Sequence, residues 1–183
     1  MARRLDAIVV VDLESTCWEG PPPAGQVSDI IEIGVCLLDV DTLERRDRRA
    51  LLVKPARSEV SPFCTSLTTL RAEDVADAPS LAEVSALLEA TYEARDRPFA
   101  SFGDYDRRQL ERCCADQGVR YPFGPTHLNV KTLFAVTHRM SREVGMAGAL
   151  ERLGLPLDGT HHRGVDDAWN VAAILAALLA KSR

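Results

Sequence analysis

Asp12 and Glu14 stand one residue apart at the end of an apolar run, AIVVVDLE. In a strand, positions i and i+2 point the same way, so the two carboxylates project together. Anions held side by side repel and are costly to desolvate, and a hard divalent cation is the usual compensation. A second candidate lies in Gly103-Asp104-Tyr105-Asp106. Stepping four and seven residues from Asp106 reaches Leu110 and Cys113, an apolar line, whereas the same steps from Asp104 reach Arg108 and Glu111. Asp106 is therefore expected to face the interior and Asp104 to cap a helix. The third candidate is His161-His162-Arg163-Gly164-Val165-Asp166-Asp167, in which a histidine twice precedes an aspartate by five positions. Asp167 shares a helical face with Val171, Ile174, Leu175 and Leu178, while Asp166 shares one with Trp169, Asn170, Ala173 and Ala177. This phase assigns Asp167 to the interior and His162 to the loop beside it. Each segment alone has an ordinary explanation in capping, helix-dipole compensation or a solvated loop. Taken together, four carboxylates and a histidine at element ends, all phased toward one sheet, point to a shared site.

The elements that must hold these groups follow from pattern. Residues 7–11 form a continuous β-branched run and read as a strand buried on both faces. Residues 30–38 and 48–53 read as further strands joined by a charged turn over 40–47, which suggests an antiparallel meander. Short helical pieces occupy 61–76. Ser80, with Glu83 three residues on, starts a capped helix running to about residue 94, with Leu81, Val84, Leu87, Leu88 and Tyr92 on its buried face. Residues 97–102 read as a fourth strand, 105–117 as a helix stopped at Gly118, and 127–130 as a fifth strand. Helices follow to 138, over 146–153 and over 165–181. The order predicts an α/β fold: one domain over 1–183, built on a mixed five-stranded sheet, its first three strands antiparallel, flanked by helices.

The 183 residues carry a formal charge of −5 and are 46% hydrophobic, enough for one sizeable core. The negative balance argues against coating nucleic acid through a broad basic surface, though not against gripping a strand end at a cation-loaded site. Five cysteines, none in a CxxC pair, disfavour a zinc site or a disulfide framework and favour buried, reduced thiols. No secretory leader is visible, and the longest apolar run, 171–180, is about half a membrane span. A soluble, cytoplasmic protein without a membrane partner is expected.

The ordered motifs resemble those of the DEDDh branch of the DnaQ-like, RNase T-like 3′→5′ exonucleases, proteins of RNase H-like fold. Within that branch, the resemblance is to the histone-mRNA 3′-exonuclease and KapD-like group. Asp12-Leu13-Glu14-Ser15-Thr16-Cys17-Trp18-Glu19 is similar to the first motif, D-x-E-x-T-C-x-E. Ser28-Asp29-Ile30-Ile31-Glu32-Ile33-Gly34 resembles the family's second strand, and Pro62-Phe63-Cys64 with Leu67-Thr68 its S-x-F-C-x-x-L-T stretch. Gly103 to Asp106 resembles the G-x-(aromatic)-D motif, and His162 to Asp167 the H-x-G-x-x-D motif, with Asn170 in step. The resemblance spans roughly residues 5 to 180, with no departure at Asp12, Glu14, Asp106, His162 or Asp167. Ser15 stands where alanine is common, and Pro21-Pro22-Pro23 marks the loop above the site. The histone-mRNA enzymes carry an additional N-terminal nucleic-acid-binding domain without a counterpart here, so recognition of a histone stem-loop is not expected.

The resemblance implies a hydrolase that removes nucleoside 5′-monophosphates from 3′ ends of single-stranded nucleic acid, RNA favoured over DNA, with two divalent cations, Mg²⁺ or Mn²⁺. In that scheme Asp12 bridges the ions and Glu14 and Asp167 complete the first. Asp106 supports the second through water, and neutral His162 takes the proton of the attacking water. Thr16 is expected near the terminal ribose, and Tyr105 to stack on a base, with Trp18 a second aromatic at the mouth. Arg107, Arg108 and Arg163 are candidate phosphate contacts. The alternatives are a DNA-directed proofreading or repair exonuclease, a non-catalytic nucleic-acid-binding module of the same fold, and an unrelated metal-binding domain. The five residues do not distinguish ribose from deoxyribose, and no motif is broken as a non-catalytic module would predict.

Overall fold

The structure, a computed structural model, describes residues 2–181. Residues 1, 182 and 183 of the expected domain lie outside the described residues. Five strands, β1 (Ala7–Ser15), β2 (Ile30–Asp39), β3 (Arg45–Leu52), β4 (Phe99–Ser101) and β5 (His127–Asn129), form one sheet in the order β3-β2-β1-β4-β5. β1, β2 and β3 pair antiparallel, while β1–β4 and β4–β5 are parallel. The helices are α1 (Pro62–Thr68), α2 (Ala72–Ala76), α3 (Leu81–Tyr92), α4 (Tyr105–Gln117), α5 (Val130–Thr137), α6 (Met146–Leu153) and α7 (Gly164–Ala180). The mixed sheet of the RNase H-like fold is thus present, with the meander first and the later strands entering through helical crossovers.

β1 lies in the middle of the sheet, and helices cover both of its faces. Its odd positions Val9, Val11 and Leu13 join a core with Leu81, Val84, Leu88, Leu110 and Cys113 from α3 and α4. Its even positions Ile8 and Val10 join a second core with Phe134, Leu150, Val171, Ile174, Leu175 and Leu178 from α5, α6 and α7. Asp12 and Glu14 continue the even series and therefore face the α7 layer. The carboxyl ends of β1 and β4 open at the same edge, because the two strands are parallel neighbours. Crevices at such edges are where α/β sheets bind their ligands.

Three expectations change. β1 runs past Val11: the ladder continues as Asp12↔Gly34 and Glu14↔Glu32, so the acid pair lies inside the strand with the shared direction expected of it. β3 begins at Arg45, inside the expected charged turn, because RRDRR forms an edge strand: Arg46, Asp47 and Arg49 face water, while Arg45 and Arg48 lie over the Trp169 ring. Leu87 is 37% exposed rather than packed, while Ser80 and Glu83 do form the expected capping box on α3.

Candidate active site

Asp12, Glu14 and Asp167 converge, with one carboxylate oxygen of each within 4.8 Å of the others. The strand pleat supplies the first two, and the start of α7 supplies the third. Asp106, in the first turn of α4, completes the group: its Oδ1 accepts the Leu13 backbone N–H at 3.1 Å, which fixes it against the end of β1. All four line one cavity of about 430 Å³, together with Tyr105, His161 and His162. The competing aspartates lie elsewhere. Asp104 pairs with Arg107 and Arg108 and takes the N-cap position of α4 without making a side-chain cap bond. Asp166 is held outside the site by Arg48 at 2.6 Å and by the Thr160 N–H at 2.7 Å.

The electrostatics of the group follow from burial and like charge. Burial, then the neighbouring Asp106 and Asp167, push the Asp12 carboxyl well above the usual carboxylate range. Burial, then Asp167 and Glu32, push Glu14 up to about 8. Burial raises Asp106 to about 6 against the opposing hydrogen bond from Leu13. Such a cluster holds more negative charge than its surroundings compensate, and its donors are all hard oxygens. That is the chemistry of a site for Mg²⁺-like or Mn²⁺-like cations, and the residues present fit such ions.

The two histidines share the loop before α7. The His161 Nδ1 lies 3.1 Å from both Asp167 oxygens, and its ring stacks on that of His162 with centroids 4.0 Å apart. The His162 backbone N–H donates to Asp167 Oδ2 at 2.9 Å, and its φ of +66° is in the left-handed region. Burial, then the adjacent His161, lowers the His162 pKa, which favours the neutral ring. Tyr105 stands at the mouth with 59% of its surface exposed, free to stack. Thr16 and Trp18 do not reach the cavity. Thr16 is fully buried and its hydroxyl accepts the Asp29 N–H at 2.9 Å, so it braces the start of β2. Trp18 lies beyond the lining residues, among which Ser15 and Cys17 represent that segment. The three candidate arginines are all engaged: Arg107 and Arg108 with Asp104, and Arg163 with Glu32 at 3.1 Å.

Glu32 is the functional candidate that single-residue reasoning passed over. It is fully buried opposite Glu14 in the β1–β2 ladder. Its carboxylate accepts from Arg163 Nε and, at 3.3 Å, from the Val165 N–H, so it fastens the first turn of α7 to the sheet. The attachment needs two glycines. A Cβ on Gly34 would meet the Gly164 backbone at 1.9 Å, and one on Gly164 would lie 3.0 Å from the Asp12 carbonyl oxygen. Only bare backbone allows α7 to come close enough to bring Asp167 beside Asp12. An acidic residue with alternating apolar neighbours, followed by glycine two positions later, was the available signal.

Comparison with known proteins identifies the family and the fold. The family model described as exonuclease, RNase_T, matches residues 9–175. The human protein named 3′-5′ exoribonuclease 1 is 30% identical over 95% of this chain, which spans 52% of that protein's length. The chain thus covers about half of this longer relative. Among solved structures, the nuclease domain of 3′hExo, a DEDDh family member bound to rAMP, superposes with a TM-score of 0.88 at 29% identity. That match covers 99% of this chain and 95% of the other. A structure of 3′-end-specific recognition of a histone mRNA stem-loop by 3′-exonuclease gives a TM-score of 0.85 at 30% identity, covering 97% and 83% of the two chains.

Proposed function

The chain belongs to the RNase_T exonuclease family, and from that premise we propose that it is a cation-dependent 3′→5′ exonuclease acting on single-stranded RNA in preference to DNA. The observation that carries the reading is the convergence of Asp12, Glu14, Asp106 and Asp167 on one cavity with a histidine pair at its rim. Asp12, Glu14 and Asp167 would hold one divalent cation, Mg²⁺ or Mn²⁺, and Asp12 with Asp106 a second. When bound, these ions supply an activated water and positive charge beside the departing oxygen. The chain's own groups do the rest. His162, kept neutral by its partly buried position, accepts the proton of the attacking water. Asp167, fastened through Glu32 and the α7 start, keeps the ligand set in register. Tyr105 receives a base on its exposed ring, a contact that any base can make.

The preference for RNA draws on the human relative's name and on the rAMP complex of the matching nuclease domain. A cytoplasmic site of action is part of the same reading. No helix among the described residues is long and apolar enough to cross a membrane. A time course on 5′-labelled single-stranded RNA and DNA, with Mn²⁺ or chelator, tests the proposal. A ladder shortening from the 3′ end, faster on RNA and abolished by chelator, is expected. Faster loss of DNA would favour the DNA-directed reading, and no degradation of either would leave the non-catalytic one.

A further inference from the structure

The doubled histidine creates a second donor set beside the acidic one. One ligand atom each from His161, His162 and Asp167 lie within 4.8 Å of one another. The His161 Nδ1 is 3.1 Å from both oxygens of Asp167. In a tetrahedral zinc shell with bonds near 2.0–2.1 Å, ligand atoms stand about 3.3 Å apart, so only a small closure of His162 separates this trio from such a shell. The chemistry differs from that of Asp12, Glu14 and Asp167. Carboxylate oxygens alone suit Mg²⁺ and Mn²⁺, whereas two imidazoles and one carboxylate suit borderline cations of the Co²⁺ to Zn²⁺ range. Three protein ligands with an open fourth position facing a cavity are also a common zinc arrangement. The His162 N–H bond to Asp167 holds the loop in place, so the three donors are already gathered before any ion arrives.

We propose that His161, His162 and Asp167 form a site for a borderline transition cation, with Zn²⁺ as its natural occupant, and that its occupancy shuts off the hydrolysis. The inhibitory part rests on the exonuclease reading above; the binding part does not. The inhibition follows from the sharing of groups. Zinc on this trio takes Asp167 away from the acidic site and takes up the ring nitrogen of His162 that would accept a proton.

Co²⁺ is the probe, because its visible d–d absorption reports tetrahedral nitrogen and oxygen ligation without any reference to activity. The wild-type chain is expected to give a Co²⁺ band that saturates at one equivalent, is displaced by equimolar Zn²⁺ and survives a large excess of Mg²⁺. His161→Gln should weaken Co²⁺ binding at least about tenfold, the range in which loss of a supporting ligand interaction is felt. Asp12→Asn should retain the band, because Asp12 belongs only to the acidic set. Circular dichroism in chelator verifies that each variant is folded. A band lost in Asp12→Asn but kept in His161→Gln would put the cobalt among the carboxylates and overturn the proposal, as would the absence of any tetrahedral band in the wild type. For inhibition, the ratio of rates with and without Zn²⁺ is compared between wild type and His161→Gln. Zinc sensitivity should fall at least about tenfold in the variant, and equal sensitivity would overturn the inhibitory role. A protein that binds Co²⁺ as described yet degrades no oligonucleotide would sink the exonuclease reading and leave the site standing.

Discussion

The two halves of the cavity are held by different means. Asp12 and Glu14 sit within β1, the middle strand of the sheet, each in the ladder to β2, and Asp106 is tied to the same strand through the Leu13 N–H. The histidines sit on a loop, with the His161 side chain 41% exposed and His162 at positive φ, and both depend on Asp167 for their anchorage. Groups carried by regular elements inherit the period of the element, so their direction is fixed once the element forms. Groups carried by a loop take their direction from a few hydrogen bonds, and a cation or a substrate can redirect them.

The largest effect should come from the rigid half. Asp12→Asn and Asp167→Asn each remove a carboxylate from the converging group. Exonuclease rates should fall by at least about 10³-fold, since the charge stabilisation such a site provides is worth several kcal/mol. Thermal unfolding in chelator should show Asp12→Asn as stable as the wild type or more so, because the substitution relieves repulsion among buried acids. An Asp12→Asn protein with full activity would end the cation-dependent reading.

The loop-borne half should respond unequally. His162→Ala is expected to lose about 10²- to 10⁴-fold in rate, the usual worth of a positioned general base. His161→Ala, whose ring braces Asp167 from the more exposed side, should lose less than about tenfold, below the usual worth of a buried supporting group. Rates on one labelled oligonucleotide decide it. If His161→Ala proves the more damaging, the proton acceptor is the other ring, and the loop has turned relative to the arrangement described.

The same contrast explains what could be read from the sequence. The period of α4 separated Asp106 from Asp104, and the period of α7 separated Asp167 from Asp166, because each side chain's direction is set by the apolar stripe it shares. The five strands and the long helices were legible for the same reason. The loop segments were not. Thr16 and Trp18 follow the bulge after Glu14, where strand alternation no longer applies, and Thr16 turns inward to brace β2. His162 was separated from His161 only indirectly, through its five-residue spacing to Asp167, since no helical period reaches the loop itself. Glu32 was legible as a strand residue but not as a fastening, because its partners Arg163 and Val165 are more than a hundred residues away.

Glu32 joins the two halves, and a smaller effect is expected from it. Glu32→Gln keeps the shape but weakens the hold on Arg163 and the α7 start. Supporting groups of this kind are commonly worth about 10- to 100-fold in metal affinity or activity. The deficit should shrink as Mn²⁺ is raised, since the ligands remain and only their pre-arrangement is lost. A titration of rate against Mn²⁺ tests this, and an unchanged midpoint with a lowered plateau would contradict it.

The smallest effect concerns stability without cations. Glu14 lies at about 8 in the folded chain against an ordinary 4.5, and Asp106 at about 6 against 3.8. Between those values the folded state holds protons that the unfolded state has released, so stability falls as pH rises through the window. His162, with its lowered pKa, works in the opposite direction near its ordinary 6.5, but it is one partly exposed ring against several buried carboxylates. Each tenfold difference in proton affinity is worth about 1.4 kcal/mol, or about 3–6 °C for a chain of this size. In chelator the melting temperature should therefore drop by several degrees from about pH 5.5 to about pH 8.5. Mn²⁺ should remove most of that drop, because it replaces the protons as the charge that holds the carboxylates together. Glu14→Gln should flatten the chelator profile, while His162→Gln should leave its slope in place. A melting temperature that climbs with pH in chelator would mean that the acidic half is not under electrostatic strain. The strand-borne and loop-borne halves would then differ in geometry alone.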